Sequence, residues 1–320
     1  MSQDIYVVVE HLRGKVSDIS YIMLAAGYDL ANITGGKVVA LLLGHDAQAL
    51  VGDLKADQVL YADHAVLADF NPEAYLKVLT GIIAENNPRA VLFGHTSIGM
   101  DIVGGISTQS SLPVVSSVRK IGENGKLISQ ICGGKIMAES ELPEPTALLT
   151  LIPGDYKPEQ GQSTQSPSIT TIPVPTLDAL RITLTQYIEP EAGDVDISKE
   201  PLLIAIGRGI QNQDNISLAD ELAEAIGGVV CASRPVVDQG WLSTSRLVGK
   251  SGSTVKPKIY LAMGISGAPE HVEAISGSDV IIAINTDPAA PIFNIAKYGT
   301  TADLFDVIPV LTEQVKNIKG

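Results

Sequence analysis

Short apolar runs alternate with longer amphipathic stretches along the first third of the chain. The runs are typical of buried parallel strands, and they lie at residues 5–9, 37–43, 59–61 and 90–93. Helices are predicted between them, over residues 18–32 and 72–85. This alternation predicts a mostly parallel sheet with helices on both faces.

Beyond Leu112 the pattern changes to shorter β-like runs, at residues 114–118, 127–131 and 146–152. The stretch from 153 to 200 is rich in Pro, Gln, Ser and Glu, although "ITTIPVP" and "ALRITLTQYI" within it are still typical of strands. We therefore place the linker near 188–200. The prediction is an N-terminal, mostly parallel βα domain with added strands over residues 1–195.

A second βα series begins at Leu202. Its predicted strands are residues 202–206, 229–231, 259–263 and 280–284, with one helix over 217–226 and another that begins at Pro269. The series predicts a doubly wound parallel-sheet domain over residues 196–320. In such a sheet the carboxyl ends of the strands form the crevice where ligands bind.

Composition narrows the classes of function. A net charge of −14 and an aromatic fraction of 4% argue against a nucleic-acid ligand, which needs a basic face. The sequence has no apolar stretch long enough to span a membrane, no signal-peptide profile and no C-x-x-C pair. We expect a reducing, cytoplasmic location. Both cysteines are expected to be small buried residues. No metal site is predicted, because the histidines outside the second domain lack metal-like spacing.

Small and polar residues follow the predicted strands of the second domain. Gly207-Arg208-Gly209 and Gly264-x-x-Gly267 follow two of them, Ser233-Arg234 follows a third and Asn285 a fourth. Each turn alone is weak evidence, because position 212 is Asn and the dinucleotide fingerprint G-x-G-x-x-G is incomplete. Together the four turns favour the binding of one elongated anionic ligand, such as a dinucleotide.

The segment 231–252 is a long connection with little regular pattern, and it carries Arg234, Arg246 and Lys250 in an otherwise acidic chain. Its "VGKSG" is not a triphosphate-binding loop, because the required glycine is replaced by Thr244. His271 begins the helix after the second glycine turn. Beside a redox-active ring it would hydrogen-bond a carbonyl that gains electron density on reduction.

Four motifs of the second domain occur together in one order: "CASRPVVDQGW", "KPKIYLAMGISGAPEH", "IIAINTDPAAPIF" and "YGTTADLFDVIPVL". Over about 200–315 the chain resembles the alpha subunit of electron transfer flavoproteins. The likeness extends more loosely to the N-terminal domain, through "VVVEHLRGKVSD" and "VLFGHTSIGMD". It implies an FAD held by the C-terminal domain, in a heterodimer with a beta subunit that contributes part of the flavin surroundings.

The resemblance also implies roles for single residues. Arg234 would lie against the isoalloxazine, Ser251 would reach the flavin N5, and Ser233 would lie near the phosphates. His271 matches a histidine near the flavin C2 carbonyl. The other implied FAD contacts are Arg208, Gly249, Lys250, Gly264, Ile265, Ser266, Gly267, Asn285, Asp303 and Leu304, of which the last three lie toward the AMP half.

The sequence departs from the family pattern at four places. Lys250 stands where the family has glutamine, so we expect extra positive charge near the ring and a higher potential for the first reduction. Lys297 replaces the acidic residue of the usual A-D-Y-G. In the first domain, Met100 and Gly105 replace two arginines of the family's G-R-D-x-x-x-R stretch, so the usual contacts there are in doubt.

The resemblance implies a redox carrier rather than a stand-alone enzyme. It would pass electrons one at a time from flavin dehydrogenases of the acyl-CoA dehydrogenase type to a membrane-associated quinone oxidoreductase or another acceptor. A subunit of an NADH-dependent, electron-bifurcating flavoprotein is an alternative that this chain alone does not decide. From other classes, an NAD-dependent dehydrogenase is disfavoured by the incomplete fingerprint, and an adenine-nucleotide-binding regulatory module stays open.

Overall fold

The computed structural model describes residues 2–132, 136–187 and 195–319. The chain divides into two compact units, Met1–Tyr187 and Ile188–Gly320. Most of the linker predicted near 188–200 lies outside the described residues, at 188–194, so the domain boundary at 195 stays a prediction. At the end of that stretch Ile197–Lys199 forms a short 3₁₀ turn, and Ile197 is buried in the core of the second unit.

The first unit is built on eleven described strands and three helices. They are β1 (Ile5–Val8), β2 (His11–Leu12), β3 (Lys15–Val16), β4 (Val38–Gly44), β5 (Gln58–Asp63), β6 (Ala90–Gly94), β7 (Val114–Ile121), β8 (Leu127–Ile131), β9 (Ile136–Ser140), β10 (Ala147–Leu151) and β11 (Ser168–Ile172), with α1 (Asp18–Thr34), α2 (Pro72–Asn86) and α3 (Ser97–Ser110). β2 and β3 form a small hairpin. The others form one sheet in the order β11-β5-β4-β1-β6-β10-β7-β8-β9.

The central strands of this sheet are parallel and buried on both faces, as their unbroken apolar runs predict. The added strands β7, β8 and β9 pair antiparallel to one another. β9 forms one edge of the sheet, where Ile136 and Met137 each expose about half of their surface. The helices begin at ordinary caps: Asn71 accepts from the Ala74 amide before α2, and Thr96 accepts from the Gly99 amide before α3.

One predicted strand of the first unit is wrong. "ITTIPVP" contains β11, but residues 182–187 of "ALRITLTQYI" have no regular structure. The segment lies on the outside of α2, where Asn71 donates to the Ile182 carbonyl and Glu73 pairs with Arg181. The alternation of apolar and polar residues in this segment is typical of a strand, but it does not provide a neighbouring strand with which to pair. Ile182 and Leu184 therefore remain about half exposed.

The second unit has a five-stranded parallel sheet and four described helices. They are β12 (Leu202–Ile206), β13 (Val229–Ala232), β14 (Ile259–Met263), β15 (Val280–Ile284) and β16 (Tyr298–Thr300), with α4 (Ile216–Ile226), α5 (Arg234–Asp238), α6 (Pro269–Ile275) and α7 (Leu304–Lys319). Successive residues of β12 enter two cores, one on each face: Ile204 and Ile206 in one, Leu203 and Ala205 in the other. The predicted fold class is confirmed in both units.

The strand order of the second sheet is β13-β12-β14-β15-β16. The chain runs outward from β12 to β13 and then returns to the other side of β12 with β14. The order therefore reverses between β12 and β14, and in open α/β sheets ligands bind outside the carboxyl ends of the strands at such a point. Among the described residues, no helix is both long and apolar enough to cross a membrane.

Glu10 follows β1 at the carboxyl edge of the first sheet and is only 6% exposed. The Thr96 hydroxyl donates to both of its carboxylate oxygens, at 2.8 and 3.0 Å. Burial raises the pKa of Glu10 to about 7. The hydrogen bonds with Thr96 and with the Gly94 backbone lower this pKa, but their effect is smaller than that of burial. The folded chain thus keeps a proton on Glu10 at pH values where the unfolded chain has lost it.

This raised pKa predicts a pH-dependent stability for the first unit. The stabilising effect of the bound proton is complete below the unfolded pKa of 4.5 and is lost as the pH rises through about 7. Wild type should therefore lose about 2 kcal/mol of unfolding free energy relative to Glu10→Gln between about pH 5.5 and about pH 8.5. Urea unfolding followed by circular dichroism measures this difference, and an equal gap between the two proteins at both pH values would contradict the prediction.

Candidate functional site

A cavity of about 790 Å³ lies at the carboxyl edge of the second sheet. The turns that follow β12, β13, β14 and β15 contribute to its wall, together with the loop before β14 and the start of α7. Its volume is in the upper part of the range found for cofactor sites. Of the fourteen predicted site residues, thirteen line this cavity: Arg208, Ser233, Arg234, Gly249, Lys250, Ser251, Gly264, Ile265, Ser266, His271, Asn285, Asp303 and Leu304.

Glycines bring two strand ends together where the strand order reverses. A Cβ on Gly207 would lie 2.2 Å from the Gly264 carbonyl oxygen, and one on Gly209 would lie 2.6 Å from the Gly264 Cα. The Gly209 amide donates to the same Gly264 carbonyl at 3.1 Å. Gly264 itself has a φ of 65°, a conformation that favours glycine. Side chains at these positions would drive the two turns apart, so the floor of the cavity depends on their absence.

Gly267 is the predicted site residue that does not line the cavity. Its φ is 84°, and a Cβ there would lie 2.3 Å from the Ile292 amide nitrogen. The Ile292 amide also donates to the Ser266 carbonyl at 3.0 Å. In this structure Gly267 lets the glycine turn pack against the segment after β15, and its contact with a ligand stays a prediction.

Arg234 and Ser251 meet at the β13 end of the cavity. Arg234 opens the short helix α5, and its Nε and one terminal nitrogen donate to Ser251 Oγ at 3.2 and 2.6 Å. Its other terminal nitrogen lies 3.3 Å from Asp238, one turn along α5. The long 231–252 connection is thus tied back onto the strand end, and Arg246 secures it further by donating to the Val230 carbonyl at 2.8 Å.

His271 forms part of the cavity wall, but both of its ring nitrogens already have partners in the protein. Nδ1 lies 3.1 Å from the Val248 carbonyl oxygen and Nε2 lies 2.9 Å from the Tyr260 hydroxyl. Burial lowers the pKa of His271 to about 4, so the imidazole is neutral at pH 7. A hydrogen bond from His271 to a flavin carbonyl stays a prediction, and it requires one of these nitrogens to leave its partner.

Charge is distributed unevenly along the cavity. Arg208, Arg234 and Lys250 lie at the end formed by β12, β13 and the loop before β14. Asp287 and Asp303 lie at the opposite end, after β15 and before α7. A third carboxylate, Glu270 of α6, also belongs to the wall and lies beside Lys250, so the cationic end carries a net charge of about +2. A ligand with anionic groups at one end and hydroxyl groups at the other matches this arrangement, since carboxylates after such strands accept hydrogen bonds from ribose hydroxyls.

Sequence reasoning missed several residues of the cavity wall. Leu247 and Val248 precede the loop glycine Gly249, and Glu270 is the neighbour of His271. Thr286, Asp287, Ala290 and Pro291 also contribute. These last four belong to the motif "IIAINTDPAAPIF", so the signal for them was present in the motif as a whole, although only Asn285 was chosen from it.

A second group of polar side chains lies on the first unit, after β4 and β5. His45, Asp46 and Asp63 offer ligand atoms that all lie within 4.8 Å of one another, and His45 Nδ1 is 3.2 Å from Asp63 Oδ1. The group is exposed, and its arrangement is accounted for by two hydrogen bonds to Asp63, one from the His45 ring and one from the Asp46 amide. The sequence predicts a structural or surface role for His45.

Comparison with known proteins shows the family of this chain. Residues 5–177 match the Electron transfer flavoprotein domain, and residues 196–276 match the Electron transfer flavoprotein FAD-binding domain. The electron transfer flavoprotein subunit alpha of Thermoanaerobacterium thermosaccharolyticum is 34% identical over 326 residues, which cover 99% of each chain. The chain belongs to the electron transfer flavoprotein alpha subunit family.

Other relatives of this alpha subunit carry different names. The Acryloyl-CoA reductase electron transfer subunit beta of Anaerotignum propionicum is 33% identical, over 99% of this chain and 97% of the relative. Protein FixB of Clostridium saccharobutylicum is 34% identical, over 98% and 96%. The resemblance inferred from the four motifs is confirmed over the full length.

FAD is therefore the cofactor of this alpha subunit, and the second unit is its FAD-binding domain. The cavity fits a dinucleotide in three respects. Its volume is large for a cofactor site, its floor consists of glycines that let a ligand approach the backbone, and its three cations lie at one end while Asp287 and Asp303 lie at the other. The matched FAD-binding segment ends at residue 276, so Asn285, Asp303 and Leu304 rest on the geometry alone.

Proposed function

We propose that this alpha subunit, paired with a beta subunit, holds FAD in the cavity of its second unit and carries electrons singly between a flavin dehydrogenase and an acceptor. The observation that carries the proposal is the separation of charge along a cavity placed where the strand order reverses. Bound FAD supplies a ring that takes up and releases one electron at a time. The protein's part is to bind this ring and to stabilise the charge that it gains.

The cations would act at one end of the cofactor. Arg234, fixed by its two hydrogen bonds to Ser251, presents a guanidinium in a defined orientation, and Arg208 and Lys250 add charge beside it. Such preorganised cations stabilise negative charge without having to reorient when that charge develops. At the other end Asp303 and Asn285 would contact the AMP half, where neutral hydroxyl groups suit the carboxylates.

The donor and the acceptor belong to the proposal as well. We propose a donor of the acyl-CoA dehydrogenase type. The relative whose name assigns it to an acryloyl-CoA reductase supports a partner that acts on an acyl-CoA, although a reductase takes electrons up rather than supplying them. The proposed acceptor is a membrane-associated quinone oxidoreductase or another acceptor. The expectation that both cysteines are buried is wrong for Cys132, which is exposed, and holds for Cys231. Both are free thiols, and we propose a cytoplasmic location because free thiols persist in a reducing compartment.

The test is to produce the chain together with its beta subunit, record the visible spectrum, count FAD and AMP per heterodimer, and then add NADH. One FAD, one AMP and no reaction with NADH would support the simple carrier. Two FAD with bleaching by NADH would show the electron-bifurcating alternative instead. A colourless heterodimer that binds an adenine nucleotide would contradict both and would favour a regulatory module.

The departure at Lys250 gives a further prediction. Its side chain lines the cavity and forms no ion pair within the described residues, so its charge acts on the ligand. Lys250→Gln should lower the reduction potential of bound FAD, because it removes a positive charge that acts on the ligand. The expected change is small, on the order of a fewfold shift in the reduction equilibrium, because water screens an exposed charge. Spectroelectrochemical titration measures this. The control is Lys258→Gln, which removes an exposed charge outside the cavity wall; equal shifts in both variants would contradict the prediction.

A further inference from the structure

One carboxylate lies among the cations of the cavity. Glu270 is the second residue of α6, and its exposed side chain belongs to the cavity wall at the end that also carries Arg234 and Lys250. Cations at this end favour negative charge on a ligand, and a carboxylate opposes it, because each charge acts on the ligand with its own sign. Glu270 therefore counteracts its neighbours.

Hydrogen bonds hold the start of α6 against the loop that carries Lys250. The Lys250 amide donates to the Glu270 carbonyl at 3.0 Å. His271, the next residue of α6, places Nδ1 3.1 Å from the Val248 carbonyl oxygen, which can only accept, so Nδ1 is the donor. These two bonds fix the backbone of Glu270 beside that of Lys250.

Lys250 lies at the tip of a tight turn. The Gly252 amide donates to the Gly249 carbonyl at 2.9 Å, so Lys250 and Ser251 are the two central residues of a hydrogen-bonded turn. The Ser251 hydroxyl also receives the two hydrogen bonds from Arg234. The lysine and the carboxylate thus extend from fixed backbone positions on neighbouring segments.

Neither of these two charges is neutralised by a partner in the protein. Within the part of the chain that the structure describes, the Lys250 ammonium and the Glu270 carboxylate form no ion pair and no side-chain hydrogen bond. Both side chains line the cavity, so both charges act on the ligand that fills it. Their effects nearly cancel, because opposite unit charges at similar distances from a ligand give energies of similar size and opposite sign.

We propose that Glu270 tunes the bound FAD: its carboxylate offsets Lys250 and so lowers the reduction potential that the cations at this end would otherwise set. The ring is the part of the cofactor concerned, because Ser251 and His271, the residues expected to contact it, directly follow Lys250 and Glu270 in the chain. An added electron makes the ring more negative, which the lysine favours and the carboxylate opposes. This inference rests on the proposed binding of FAD in this cavity.

The test uses four heterodimers: wild type, Glu270→Gln, Lys250→Gln and the double variant. Glutamine keeps the length of the glutamate side chain and removes its charge. Spectroelectrochemical titration measures the reduction potential, and equilibrium dialysis measures the affinity for oxidised FAD. Glu224→Gln is the control, because it removes an exposed carboxylate of α4 that lies outside the cavity wall.

Glu270→Gln should raise the reduction potential, by an amount on the order of a fewfold shift in the reduction equilibrium, as expected for one exposed charge. Glu224→Gln should leave the potential close to that of wild type. The double variant should return to within about twofold of the wild-type equilibrium, because the effects of two charges on the same ring add. In about 1 M salt, where the screening length is about 3 Å, the shift in Glu270→Gln should shrink.

Three results would overturn the inference. The first is an unchanged potential in Glu270→Gln, and the second is an equal shift in Glu224→Gln. The third is a Glu270→Gln variant that binds oxidised FAD more tightly at an unchanged potential, because its carboxylate would then act on the phosphates and not on the ring.

The same titrations separate this inference from the proposed function. A wild-type heterodimer that binds no FAD would contradict both. A heterodimer that binds FAD, with a potential that Glu270→Gln does not move, would leave the proposed function standing and would remove only the role of Glu270.

Discussion

A Gly207→Ala chain should have a second unit destabilised by about 3 kcal/mol or more and should retain no FAD. The added Cβ would lie 2.2 Å from the Gly264 carbonyl oxygen and 2.8 Å from an Ile265 side-chain carbon. Neither neighbour can yield easily, because the Gly207 amide donates to the Met263 carbonyl at 2.8 Å and Gly264 is fixed at the end of β14. Relief of the clash would separate β12 from β14 at the floor of the cavity.

Gly240→Ala is the matched control in the same unit. Gly240 also has a positive φ, 72°, but a Cβ there would meet nothing within 4 Å. It should cost only the backbone strain of about 1 kcal/mol. Trp241, the single tryptophan of the chain, lies in the second unit, so urea unfolding followed by its fluorescence reports this unit selectively. Similar midpoints for the two variants would show that the contact between the two turns is unimportant.

Arg234→Ala should weaken FAD binding by about 10- to 100-fold, because it removes a charge-assisted hydrogen-bond donor from the cationic end of the cavity. The loss has two parts: the guanidinium itself, and the orientation of Ser251, which receives both of its hydrogen bonds. Asp238, the other partner of Arg234, is more than half exposed, so leaving it unpaired should cost little.

Arg234→Lys separates the two parts, since lysine keeps the charge but not the planar fork. We expect it to bind FAD with intermediate affinity. Arg181→Ala, a charge change at an exposed ion pair of the first unit, is the control for net charge. Equilibrium dialysis of the heterodimers against FAD measures the affinities. If Arg234→Ala and Arg181→Ala bind FAD equally well, Arg234 has no direct part in the site.

Four of the five strands of the second sheet could be predicted from the sequence, because each of them is a largely buried apolar run. The predicted bounds of β12, β14 and β15 are confirmed. The fifth strand, β16, was missed because its residues are exposed and form no apolar run. The rule that ligands bind at the carboxyl ends of such strands grouped the residues of the four turns, and the family resemblance added the others, among them Ser251, Asp303 and Leu304. Hence thirteen residues chosen from separate turns line one cavity.

Other features have no signal in a pattern of apolar and polar positions. Tyr260 is one more apolar residue of a strand, and nothing in the pattern shows that its hydroxyl contacts His271 on the helix α6. Gly264 and Gly267 are both glycines of the same turn, but Gly264 lines the cavity and Gly267 packs against Ile292. The helix α7 was missed because Pro309, which usually interrupts helices, lies inside it.

The edge strand β9 has a consequence for handling the alpha subunit by itself. One side of its backbone has no neighbouring strand within the described sheet, and Ile136 and Met137 stand exposed beside these unpaired donors and acceptors. Such an edge accepts any extended segment that reaches it, including the same edge of another copy. The net charge of −14 opposes that encounter only while salt is low. A preparation of the single chain at high ionic strength is thus exposed to strand-by-strand aggregation.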